Sequence, residues 1–215
     1  MPEQLTESTG AVPLRVTPVA PRPLRRVERR ASILRGAAAA FSETGFAATS
    51  MEAIAAAAGI SKLIVYRHFD SKEALYRAVL DDAAGRLAEA FADATRRGDP
   101  AEAAALAFLR AAREDPHGFR LLWRHAAREP QFAAHVERFR DLAVAFARSR
   151  LAQLLRDDRL HAWAAETIVD VLVASVLHWQ DHHDGGDDDD FVRRTGRSLR
   201  ALVAAWAEPE QPPRG

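Results

Sequence analysis

From residue 27 to 207, apolar residues return every three or four positions, and no run of β-branched residues alternates with polar ones. That is the period of the α-helix, so the chain is predicted to be all-α. The composition points the same way. Forty-five of the 215 residues are alanine, the strongest helix former, and Leu, Arg and Glu fill many of the remaining positions. Cysteine is absent. This excludes a disulfide scaffold, a thiolate zinc site, a Cys nucleophile and a thiol-based redox sensor.

Caps and breakers cut this material into about nine helices. The first runs over about 27–44, carries Ile33, Leu34, Ala37, Ala38 and Phe41 as its apolar stripe, and stops at Gly45. The second covers about 51–57 with Thr49 or Ser50 as N-cap, and Thr49-x-x-Glu52 reads as a capping box. Gly59 breaks the chain, Ser61 caps a third helix that ends near His68, and Ser71 caps a fourth over about 72–97. Three acidic–proline pairs, Asp99-Pro100, Asp115-Pro116 and Glu129-Pro130, start helices over 100–114, 116–128 and 130–156. The last two helices cover about 161–181 and 191–207, and 185–190 reads as a loop.

Residues 1–23 hold five of the eleven prolines and are predicted to be a disordered arm; 208–215 are predicted to be a disordered tail. Between them, 24–75 and 76–207 form the two expected domains. The N-terminus has neither the basic nor the apolar region of a secretory signal. The stretch 162–177 carries Glu166 and Asp170 and falls short of the roughly 20 apolar residues that span a bilayer. The expectation is therefore no membrane partner and a cytoplasmic protein.

Thirty basic and thirty acidic residues cancel. Split at residue 80, the sum becomes polar: 11 basic against 7 acidic gives +4, and 19 against 23 gives −4. Lys62 and Lys72 are the only lysines, and both fall in the basic part. Arginines at 22, 25, 26, 29 and 30 lead into the first helix. A solvated helix start and a basic arm entering a DNA groove both fit that cluster.

The stretch from Ser50 to Lys72 is the most informative. A short capped helix, a turn around Gly59 and a second short capped helix form a helix-turn-helix pattern. Ile54, Ala55, Ile60 and Val65 fill its core positions, and Gly59 supplies the positive φ of the turn. The outer face of the second helix offers Lys62, Leu63, Tyr66 and Arg67. Arg and Lys can address guanine O6 and N7, an apolar tip can pack on a thymine methyl, and Tyr can reach a phosphate. Ser50, Ser61 and Lys72 sit at helix starts, where backbone N–H groups favour a phosphate.

The flanks sharpen this. The run from Gly45 to Ala55, then Ala58-Gly59-Ile60-Ser61-Lys62, then Tyr66-Arg67-His68-Phe69-Asp70-Ser71-Lys72-Glu73-Ala74-Leu75, closely resembles the N-terminal domain of TetR-family transcriptional regulators. The resemblance covers about residues 28–80. It implies a homodimer that binds double-stranded DNA at a pseudo-palindromic operator, usually as a repressor, and is released by a small-molecule effector. It places Ser50, Tyr66, His68 and Lys72 at phosphate-contacting positions, and Lys62, Leu63 and Arg67 at base-reading positions. It places Phe69, Leu75, Ile54 and Val65 in the small domain's core. The chain departs from the family at Leu63-Ile64, where small or hydroxylated residues are common. Ile64 cannot bind phosphate through a hydroxyl, which shifts the expected operator preference toward thymine methyls.

Beyond residue 80 the sequence is less specific. Leu109, Phe119, Leu122, Trp123, His125, Phe139 and Phe146 are candidates to line an apolar ligand pocket, and the same residues fit a packed core. The eighth helix is apolar nearly all round from Ile168 to Trp179, and the ninth carries Leu199, Leu202 and Trp206 with Gly196 allowing close approach. Leu172, Val176, Trp179, Leu199, Leu202 and Trp206 are therefore expected in a four-helix dimer interface. His178 and His182 lie one helical turn apart, a spacing shared by metal pairs and solvated helix ends, and no metal is assigned. There is no nucleophile elbow, Gly-rich phosphate loop or paired-carboxylate motif, so neither catalysis nor a cofactor is expected. The leading reading is a repressor released by a largely hydrophobic ligand. The other is a TetR-like DNA-binding or interaction protein without ligand control.

Overall fold

Helix starts in this chain follow its capping side chains. The computed structural model describes residues 26–94 and 99–207, and among them it contains nine α-helices and no strand. The predicted arm, the end of the fourth helix at 95–98 and the predicted tail lie outside the described residues. In order, the helices are α1 (Arg26–Ala48), α2 (Met51–Ala57), α3 (Lys62–Tyr66), α4 (Lys72–Ala94), α5 (Pro100–Glu114), α6 (Pro116–Arg120), α7 (Pro130–Leu151), α8 (Asp158–His182) and α9 (Asp188–Ala207). Ser50 accepts the Ala53 N–H at 3.1 Å, and Ser71 accepts that of Ala74 at 3.1 Å. Asp99 accepts from Ala101 and Glu102, and Asp115 from Gly118. Glu129 occupies the N-cap of α7 without a side-chain bond.

Several boundaries differ from the sequence reading, each for a local reason. Thr49 is not the cap of α2 and forms no capping box. Its hydroxyl is buried and donates to the Gly45 carbonyl at 2.6 Å, beside the Thr44 hydroxyl at 2.7 Å. α8 starts at Asp158 because Asp157 caps it, accepting the Arg159 N–H at 3.0 Å. α9 starts at Asp188, and Asp188, Asp189 and Asp190 complement the positive end of the helix dipole. The sixth predicted helix breaks after Arg120 into one π-turn, Leu121–His125, and a 3₁₀ turn, Ala126–Arg128. The wide turn shifts the helical phase where one segment must serve two cores.

Those two cores organise the molecule. The first gathers side chains of α1 to α4 with Leu121, Leu122, Phe132 and Val136. The second gathers Leu87 and residues of α5, α8 and α9 with Phe119, Leu151 and Leu155. Trp123 packs against both. α8 lies against α5, α7 and α9. By length and composition it could span a bilayer, with a window of mean hydropathy 1.5, which corrects the expectation that no segment could. Half of that window is buried inside the protein, as in the core helix of a globular domain. Gly196 of α9 faces α5, so its close approach serves this chain's own packing: a Cβ there would meet Glu102 Cγ at 2.4 Å.

Gly36 sets how closely α1 meets the end of α2. A Cβ at this position would lie 2.7–2.8 Å from the backbone N and Cα and the Cβ of Ala58. Gly36→Ala therefore forces the helices apart. It should cost about 1–3 kcal/mol, read as a melting temperature several degrees lower. An unchanged melting temperature would show that the contact yields freely.

Candidate nucleic-acid interface and distal cavity

α3 is only five residues long and is held by one buried anchor, Val65, at 0% exposure. Gly59, at φ 65°, makes the preceding turn, and the Ile60 N–H closes it on the Ala55 carbonyl at 3.0 Å. With Val65 inward, the opposite face of α3 points to solvent. Leu63 is 63% exposed and Tyr66 44%, and Ser61, Lys62 and Arg67 are exposed beside them. This is an apolar tip, an aromatic hydroxyl and two cations on one convex edge, the mixture that groove reading needs. Ser61 starts α3 without using its hydroxyl as a cap. Ser50 is exposed one helix earlier, and its hydroxyl oxygen is engaged in capping.

Charges on this edge are partly committed. Lys62 pairs with Glu52 on α2, which holds the Glu52 carboxyl below its usual range and raises the Lys62 ammonium. The Lys62 ammonium also lies 5.6 Å from the centre of the Tyr66 ring. Lys72 is committed further. Its ammonium donates to the carbonyls of Phe46 (2.8 Å), Thr49 (2.9 Å) and Ala47 (3.3 Å), and stands 4.5 Å over the Phe46 ring. An ammonium has three protons, and all three have acceptors here. The side chain expected at a phosphate thus ties the end of α1 to the start of α4. His68 is half-buried, and its pKa lies below the usual 6.5, first because of burial and then because of Arg26, Arg29 and Arg30. Those arginines belong to the cluster whose role the sequence left open, and α1 brings them to the His68 end of α3.

A second feature lies at the far end of α4. A cavity of about 520 Å³ opens there among α4, α5, α7, α8 and α9. Its walls are mostly apolar, with Phe91, Phe108, Leu151, Ile168 and Leu172 among them. Of the seven residues expected at a ligand, Phe146 lines this cavity. Leu109 and Phe119 are buried in the second core, Leu122 in the first, and Phe139 packs on the first. Trp123 lies between the cores with its indole N–H buried and unpaired. His125 sits in the π-turn, its pKa lowered by burial and by Arg124, Arg128 and Arg120. The sequence reading missed Arg150, Arg200 and the small residues Ala101 and Ala204 on this wall. Alanines that line a space and alanines that fill one read alike in a sequence.

The six residues expected at a dimer interface also divide. Leu172, Val176 and Leu199 are at most 2% exposed within this chain, so they have no surface left for a partner. Trp179 donates to Asp188 at 2.9 Å and stacks on His183 at 3.6 Å. Leu202 and Trp206 remain half-exposed, and Trp206 meets the exposed Trp163 edge-on at 4.8 Å. His178 and His182 each turn Nδ1 to a backbone carbonyl of α8, and no metal-ligand cluster occurs among the described residues.

Residues 33–79 match the family described as "Bacterial regulatory proteins, tetR family". The HTH-type transcriptional activator FasR of Mycolicibacterium smegmatis is 34% identical over 182 residues, 80% of this chain and 81% of its own length. The chain belongs to the TetR family. It is a DNA-binding transcriptional regulator and not an enzyme. A TetR-like regulator from Rhodococcus sp. RHA1 has a TM-score of 0.70 at 26% identity, covering 85% of this chain and 99% of that one. The structure of AibR in complex with isovaleryl coenzyme A and operator DNA has a TM-score of 0.60 at 20% identity, covering 85% and 100%. At that identity the likeness is one of fold.

Two substitutions separate reading from scaffolding. Arg67→Ala should relax preference at particular base pairs by about 1–3 kcal/mol, measured by binding to a panel of operator variants. Lys72→Met should instead destabilise the helix-turn-helix by about 1–3 kcal/mol, because three carbonyls lose a charged donor. A Lys72→Met protein with unchanged melting temperature and a salt slope lower by about one unit would assign Lys72 to phosphate alone.

Proposed function

We propose that this regulator is a homodimeric repressor that holds a pseudo-palindromic operator and is released by a small, largely hydrophobic ligand. The observation that carries the reading is the course of α4. Lys72 begins it against the helix-turn-helix, and Phe91, 19 residues on, lines the distal cavity. At 1.5 Å per residue the two ends of this lever are about 28 Å apart. A ligand that favours one tilt of α4 changes the spacing of two reading heads. A coupling of about 1–3 kcal/mol alters operator affinity some 5–150-fold.

In this reading residues 24–75 form the DNA-binding domain and 76–207 the ligand-binding and dimerisation domain. Ser50, Ser61, Lys62, Leu63, Tyr66, Arg67 and His68 contact the operator, and Lys72 holds them in place. The dimer joins α8 and α9 to their copies through the faces that this chain leaves open. Trp163, Val171, Ala174 and His178 lie on one side of α8 at helical spacing, and Leu202 and Trp206 continue that surface on α9. Operator binding places the protein with the DNA, in the cytoplasm. A mostly apolar cavity of about 520 Å³ favours ligand control over a ligand-independent regulator. Activation is the second reading, favoured by one observation: the relative matched over most of both chains, FasR, is named an activator.

Gel shift with DNA flanking the protein's own gene tests the reading. Sequence-specific, salt-sensitive binding by a dimer is expected, and its absence would overturn the proposal. Trp163→Glu, at a residue 51% exposed, should yield a folded monomer in sedimentation and lose operator binding. A Trp163→Glu dimer of unchanged affinity would place the interface elsewhere.

A further inference from the structure

We propose that the distal cavity takes a linear amphiphile, an acyl chain carrying an anionic head group, and that Arg150 at the rim binds the head. The inference rests on the ligand-controlled reading above and adds the chemical class of the ligand. Apart from Phe91, Phe108 and Phe146 the wall is largely aliphatic, which suits a hydrocarbon chain. Among the described residues three charged ones line it: Asp99, Arg150 and Arg200. Two of them neutralise each other. Asp99 caps α5 and pairs with Arg200 at 2.7 Å, and Arg200 also reaches Glu102 at 3.3 Å.

Arg150 is different. It makes no ion pair among the described residues, and its guanidinium lies 5.2 Å from the centre of the Phe146 ring, itself part of the cavity wall. Its side chain is exposed, and a guanidinium without an ion-pair partner can take two oxygens at once through its N–H donors. Among the described residues the cavity therefore combines an apolar interior with one cation at its rim that has no carboxylate partner. A purely apolar molecule would leave that cation unused. A carboxylate or phosphate on an apolar chain satisfies both parts. A free acyl carboxylate and an acyl thioester on a phosphorylated carrier share this chemistry.

Calorimetric titration of the full chain with decanoate, decanoyl coenzyme A and the neutral decanol tests it, on the wild type and on Arg150→Met. Methionine keeps the apolar stem and removes the charge. At least one anionic probe should bind about tenfold or more tightly than decanol, and the anion that does so names the source. In Arg150→Met that preference should fall to less than about threefold while decanol affinity stays unchanged. The proposal is overturned if decanol matches both anions, if the preference survives in Arg150→Met, or if the variant weakens decanol equally. Decanol that binds as tightly as the anions and still releases operator DNA would sink the amphiphile alone. If none of the three probes binds, the amphiphile proposal fails; operator release by an unrelated apolar compound would then decide the broader reading separately.

Discussion

Tyr76 and Phe132 stack with their ring centroids 4.2 Å apart, and that contact joins the first turns of α4 to the first turn of α7. Phe46 meets both rings edge-on at 5.1 and 4.9 Å, and Phe41 meets Tyr76 at 4.8 Å. A helix-turn-helix of some fifty residues buries little surface and is marginal by itself. Here its core continues without a break into Leu121, Leu122, Phe132 and Val136 of the larger part. The reading head therefore cannot rotate as a free bead. The packed rings join α1, α4 and α7, and Val65 of α3 is buried in the same core.

The charge distribution follows from the same arrangement. The chain is neutral in sum, yet Lys62, Arg67 and Lys72 lie together at the helix-turn-helix end, and the two lysines are restrained. Glu52 holds Lys62, and three carbonyls hold Lys72. On the exposed face of α3 the Lys62 ammonium is thus held by Glu52 beside the Tyr66 ring, while Leu63 and Arg67 point to solvent. At the opposite end, salt bridges tie α5 to α9, α6 and the π-turn to α8, and α7 to α8. Arg113 takes Asp188 through two bonds of 2.7 and 3.0 Å, Arg120 and Arg124 share Asp181, and Arg140 reaches Asp170 at 2.7 Å.

Local signals in the sequence are legible to the residue. Ser50, Gly59, Ser71, Asp99 and Asp115 act within four positions of themselves, so α2, the turn after it and α5 fall where the sequence puts them. What depends on rotation or on distant partners is not legible. α8 is apolar nearly all round, and only packing against α5 and α7 decides that Leu172 and Val176 turn inward while Trp163 stays out. Phe119 is buried in the second core and Trp123 falls in the π-turn at Leu121–His125 between the two cores, so neither lines the cavity that their spacing suggested. Lys72 reaches back 26 residues to Phe46, a contact that spacing cannot announce.

If α4 is the lever, occupancy of the distal cavity changes the separation of two α3 helices. The chain has no cysteine, so Ala57→Cys on the exposed end of α2 gives a single spin-label site per protomer. Pulsed electron–electron distances should be measured in the dimer, on operator DNA and with saturating cavity ligand. One narrow distribution, set by heads about 34–36 Å apart, is expected on DNA, and a shift of several ångströms with ligand. Identical distributions in a dimer that nonetheless leaves its operator would show that α4 does not move the heads.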